Sequence, residues 1–167
     1  TPVPPTDEPE PTDADATEAA TEPPEATNTP APTVMYADGN LLQLFYDENS
    51  FYLYNPGGED IPIRLVAFEM LDLDGEPLPY YFSGVEWDSV GFFKLVSNHC
   101  DAIEPADAPE LLAPTRCRNY DATVEPESLD NALIFWTPHD SAIEFRVLWE
   151  EEEVARCEIE AGFCEVF

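Results

Sequence analysis

The clearest chemistry in this sequence belongs to its four cysteines, Cys100, Cys117, Cys157 and Cys164. Four thiols can pair in three ways, and sequence alone does not choose among them. Local bridges are the expectation. Cys100 with Cys117 would close a long irregular loop, and Cys157 with Cys164 would face each other across a hairpin turning at residues 159–162. Closing a loop of about 15 residues is worth roughly 3 kcal/mol, a large share of a small domain's stability. A zinc site is the competing use, with His99 beside Cys100 and His139 as nitrogen donors. No close ligand pair with structural-site spacing supports it.

Carboxylates offer a second chemistry. Asp72, Asp74 and Glu76 surround Gly75, and hard oxygen ligands on a tight turn suit Ca²⁺, the one cofactor the sequence suggests. The twelve-residue EF-hand pattern is absent, and an Asp-Gly turn is an ordinary hairpin connector, which is the preferred reading. The run of glutamates at 150–153 reads as a solvated turn that discourages edge pairing. Tyr80, Tyr81, Phe82 and Trp87 lie close enough in sequence to form an aromatic platform for sugar rings or a protein partner. Strand alternation would send half of them into a core. Arg116 and Arg118 flank Cys117 and are expected to neutralise neighbouring carboxylates. His99 and His139 are the only histidines, and neither sits in a nucleophile motif. Phosphate-binding glycine loops are absent as well. A non-enzymatic role is the expectation.

Composition bounds the partners. With 36 acidic residues against 6 basic ones, the formal net charge is -30, so association with nucleic-acid phosphates or an anionic membrane is electrostatically disfavoured. No apolar run reaches membrane-spanning length. Four cysteines without a CxxC pair fit an oxidising, extracellular compartment. The chain begins with Thr1, as it would if a signal peptide or lipid anchor had been removed, or at a cloning boundary.

Residues 1–33 hold nine Pro, eight Thr and eight Asp or Glu, with no basic or aromatic residue. Such a segment buries too little apolar area to offset its chain entropy, so it reads as an extended acidic stalk. Thr interleaved with Pro is the composition of O-glycosylated stalks, making Thr6, Thr12, Thr17, Thr21, Thr27 and Thr29 candidate sugar carriers; a bare spacer has the same composition. Val34 to Tyr36 is the part of the arm apolar enough for a strand contact.

Residues 34–167 read as one β-domain, its strands beginning at Leu41. The runs 41–46 and 50–55 form a hairpin around Asp47, Glu48 and Asn49, and 61–70 is apolar enough for a central strand. Strands are expected at 80–83, 92–97 and 133–136, with a short helical turn at 85–90. The region 98–131, broken by Pro105, Pro109, Pro114 and Pro126, is the least regular, with Leu111 and Leu112 plugging the core from a loop. At the C-terminus, Phe145, Val147 and Trp149 alternate with Glu144 and Arg146 and open a three-stranded meander ending at Phe167. Spacing of this kind indicates an all-β sandwich.

The stretch from Asn49 through Phe51, Tyr52, Leu53, Tyr54, Asn55, Pro56 and Gly57 to Ile61 resembles the opening of lamin-tail-like modules of immunoglobulin fold. With Phe135, Trp136 and the pair Cys157 and Cys164, the folded part resembles disulfide-bearing domains on Pro/Thr-rich stalks at bacterial surfaces. The resemblance implies an immunoglobulin-like β-sandwich with a binding or structural role. Some such domains join a buried Lys to an Asn by an isopeptide bond, which would fall to Lys94, the only lysine; an edge-strand gatekeeper is the preferred reading of that residue. The expected function is a structural subunit of a cell-surface filament or layer, self-associating or binding surface protein or glycan. The alternative is a monomeric adhesion module recognising a carbohydrate, cation or protein.

Overall fold

The computed structural model describes residues 39–108, 113–139 and 142–167. The stalk with its candidate threonines, the contact segment Val34 to Tyr36, and Leu111 and Leu112 lie outside the described residues. What is described is an all-β sandwich of two sheets. One sheet has five strands in the order β6-β5-β2-β1-β9, and the other has four in the order β4-β3-β7-β8.

The first hairpin forms where alternation and turn chemistry agree. β1 (Leu42–Tyr46) pairs antiparallel with β2 (Phe51–Tyr54), placing Tyr46 opposite Phe51. The Asp47 carboxylate closes the turn by accepting the Asn49 and Ser50 backbone N–H groups at 2.8 and 2.9 Å. The run 61–70 divides. Ile61 makes a single bridge to Leu95, Ile63–Leu65 is one 3-10 turn, and only β3 (Val66–Leu71) is a strand, lying between β4 (Pro77–Ser83) and β7 (Glu144–Trp149). A short helix α1 (Val85–Ser89) follows β4. It starts at Gly84, where a Cβ would stand 1.9 Å from the Ile63 carbonyl oxygen, so only glycine lets these segments touch.

Two expected strands are absent and two unexpected ones appear. Within 92–97 only Leu95 has a bridging partner, and 133–136 is not extended into a sheet. Ile134, Phe135 and Trp136 are nonetheless buried. Phe135 stacks on Phe68 at 4.7 Å and lies 4.9 Å from Phe51 and 5.1 Å from Phe145, so a loop side chain fills the space between the sheets. The Trp136 indole N–H donates to the Asp47 carbonyl at 2.9 Å, giving the buried ring its polar partner. Inside the region read as irregular, β5 (Cys100–Ile103) and β6 (Tyr120–Val124) form a parallel pair. The intervening loop supplies the longer connection that parallel pairing requires.

The C-terminal strands β7, β8 (Glu152–Glu158) and β9 (Phe163–Val166) occur as expected, but they do not form one meander. β8 pairs with β7, whereas β9 crosses to the other sheet and pairs with β1. Glu150 and Glu151 turn between β7 and β8 with φ of 49° and 71°, positions that favour Asn and Gly.

Candidate functional site

Two places combine chemistry with concavity or burial. The first is an apolar cleft of about 320 Å³ on the side where β8, at the edge of one sheet, faces β9, at the edge of the other. Leu42, Val66, Trp149, Val154, Val166 and Phe167 line it, with Glu152 at its border and Gly39 and Asn40 at the start of β1. The disulfide Cys157–Cys164 ties the same two strands together, with Cα atoms 5.7 Å apart. Both sulfurs pack against the central core, so the bond spans the two sheets instead of fastening a hairpin within one.

The second place is a buried carboxylate pair. Asp101 on β5 is fully buried, accepts the Ala122 N–H at 3.0 Å through one oxygen, and leaves the other without a partner among the described residues. Burial, reinforced by the charge of Asp121, pushes its carboxyl up to about 8, so it holds a proton at neutral pH. Asp121, on the neighbouring strand β6, accepts the Val96 N–H at 2.6 Å and sits 2.5 Å from His99 Nδ1. This pair lies in the stretch that its prolines make look irregular, although Cys100-Asp-Ala-Ile and Tyr120-Asp-Ala-Thr-Val carry β-forming residues around each acid.

The residues singled out in the sequence are placed as follows. Cys100 and Cys117 are bonded, as are Cys157 and Cys164, and Cys100 and Cys117 pack with Tyr52 and Ala102 in a small cluster separate from the central core. The thiols are therefore not available to zinc. His99 engages Asp121, while His139 stacks on Tyr80 at 4.4 Å and meets Thr137 at 2.9 Å.

Asp72 turns its carboxylate inward, accepting the Asp74 and Glu76 N–H groups at 2.9 Å each, while Gly75 takes φ 81°. The turn thus explains its acids as a hairpin connector. Among the described residues no three His, Cys, Asp or Glu converge into a group that could hold a metal ion.

The aromatic platform is dispersed. Trp87 is fully buried, 4.5 Å from Phe82, and its indole donates to the Ala102 carbonyl at 2.9 Å. Tyr80 packs inward against the core, and Tyr81 is exposed on the opposite face of β4. Alternation along the strand separates the two tyrosines.

The basic residues find varied partners. Arg116 donates to the Gln43 side-chain carbonyl at 2.7 Å and Arg118 to the Thr115 backbone carbonyl at 3.3 Å, so both bind neutral oxygens instead of carboxylates. Lys94 is exposed and paired with Asp60, whose carboxyl its hydrogen bond and the Ser97 N–H hold below the usual range. It is not the buried lysine that an isopeptide bond would need, and it lies beside the single Leu95 bridge instead of in an edge strand. On the four-stranded sheet, Arg146 bridges Glu69 and Glu153, and Arg156 bridges Glu153 and Glu144.

These features define a class: a disulfide-bonded, two-sheet β-sandwich with an open apolar side. Its two bridges fit an oxidising, extracellular environment. No helix among the described residues is long and apolar enough to cross a membrane. Compared with known proteins, the chain matches no family model and no curated sequence.

Proposed function

We propose that this protein is a non-enzymatic structural component of a cell-surface assembly, an immunoglobulin-like sandwich related to lamin-tail-like modules and carried on an acidic, O-glycosylated Pro/Thr stalk. The observation that supports this reading best is the unequal protection of the sheet edges. β4, β6, β8 and β9 each have a ladder partner on one side only. β4 carries Pro77 and Pro79, and β8 carries Glu152, Glu153, Arg156 and Glu158, residues that block or repel an added strand. β9 offers only Glu165 against pairing and exposes Phe163 beside Phe45, with ring centroids 5.2 Å apart. An edge left open in this way suits addition of a strand from a neighbouring subunit. Self-association and contact with surface protein or glycan are the partners this reading names.

The apolar cleft favours a second reading, a monomeric binding module whose ligand enters between the sheets. Electron microscopy with light scattering on native protein distinguishes the two. Filaments or defined oligomers are the expected result, and particles that stay monomeric across concentration would leave the binding module.

A further inference from the structure

The cleft has an apolar lining and a mouth at the point where the described chain begins. We propose that Val34, Met35 and Tyr36 of the same chain fold back over this cleft and close it. The argument starts from composition. Residues 1–38 contain four apolar side chains larger than alanine or proline, Val3, Val34, Met35 and Tyr36, and three of them are contiguous. The cleft presents Leu42, Trp149, Val154 and Phe167 to such a segment, and Glu152 is the charged side chain among its described lining. Residues 33–37 carry no charge, whereas the stalk before them is acidic and would be repelled by Glu152. Chemistry therefore selects this one segment of the arm.

Geometry permits the contact. Ala37 and Asp38 alone separate Tyr36 from Gly39, which itself lines the cleft. Packed sheets lie roughly 10 Å apart, and an extended chain advances about 3.3–3.6 Å per residue, so this short stretch spans the gap from β1 to the edge of β8. Asp38, Gly39 and Asn40 are turn-forming residues, and the chain bends at Gly39, where both Gly39 and Asn40 are exposed. The outer edge of β8 lacks a ladder partner among the described residues and offers backbone groups to an incoming strand. A tether this short gives the segment an effective concentration in the millimolar range or above, which favours closure within one chain over insertion from a second copy. This inference does not depend on the assembly reading, because a closed cleft leaves the outer edge of β9 open.

Methionine labelling tests it on the full chain. Met35 and Met70 are the only methionines, and Met70 is buried in the core, so a methyl-labelled sample gives two assignable signals. Cross-relaxation between the Met35 methyl and the Trp149 ring is expected, unchanged on dilution. Its absence would overturn the proposal, and a signal lost on dilution would assign the cleft to a second copy instead. The triple variant Val34→Ser, Met35→Ser, Tyr36→Ser is expected to gain binding of an apolar dye and to expose Trp149 to acrylamide quenching, while the buried Trp87 and Trp136 stay shielded. Equal quenching and dye binding in variant and parent would show that this segment does not cover the cleft.

Discussion

Cys157 and Cys164 are covalently joined although their strands belong to different sheets: Cys157 lies opposite Phe145 of β7, and Cys164 opposite Leu44 of β1. The bond clips the sandwich at one end of the side on which the apolar cleft opens. Replacing both residues by alanine is expected to lower stability by roughly 2–3 kcal/mol, the value for a short cross-linked loop. Hydrogen exchange should increase first along β8 and β9. Denaturant titration checks the magnitude, and an unchanged midpoint would mean that the core alone holds these edges together.

Asp101 sets a pH dependence of unusual sign. Its carboxyl is raised to about 8 when folded, against about 3.9 in an unfolded chain. The folded state therefore binds the extra proton between these values, and the contribution of Asp101 to stability falls as pH rises from about 4 to 8. Asp101→Asn keeps an acceptor for the Ala122 N–H and cannot ionise. It is expected to flatten the pH profile and to stabilise the domain by about 2–4 kcal/mol at pH 8, with little effect at pH 4. Urea titrations across this range decide it, and a variant with the parent's slope would contradict the assignment. Glu153 acts in the opposite sense: Arg156, with Arg146, holds its carboxyl below the ordinary range. Its contribution is present above the unfolded pKa and is lost as pH falls through the folded one.

The turn between β7 and β8 holds Glu150 and Glu151 at positive φ without glycine. Residues other than glycine in this region cost of order 1 kcal/mol or more each. Glu150→Asn with Glu151→Gly matches the turn's preference and is expected to raise stability by about 1–2 kcal/mol. Thermal unfolding measures it. A loss of stability would mean that the glutamate side chains make contacts that outweigh the strain.

Legibility of the fold follows how locally each element is determined. The β1–β2 hairpin was readable because Asp47 supplies its own turn contacts and the flanking runs alternate. The Asp72 turn was readable for the same reason. Leu133 to Trp136 misled because consecutive apolar residues look alike whether they enter a sheet or plug a core from a loop; only the rings of Phe51, Phe68 and Phe145 decide which. The crossing of β9 to β1 was hidden because turn residues mark a reversal without naming the next partner. Asp101 and Asp121 escaped notice because a buried acid and a solvated one are the same letter in so acidic a chain. Their proximity depends on parallel pairing across a proline-containing loop.

The most direct test of the assembly reading compares the full chain with one starting at Thr33, by light scattering and electron microscopy at matched concentrations. The account predicts oligomers or filaments from the full chain that disappear without residues 1–32, while the shortened protein stays folded. Monomers in both samples would contradict it.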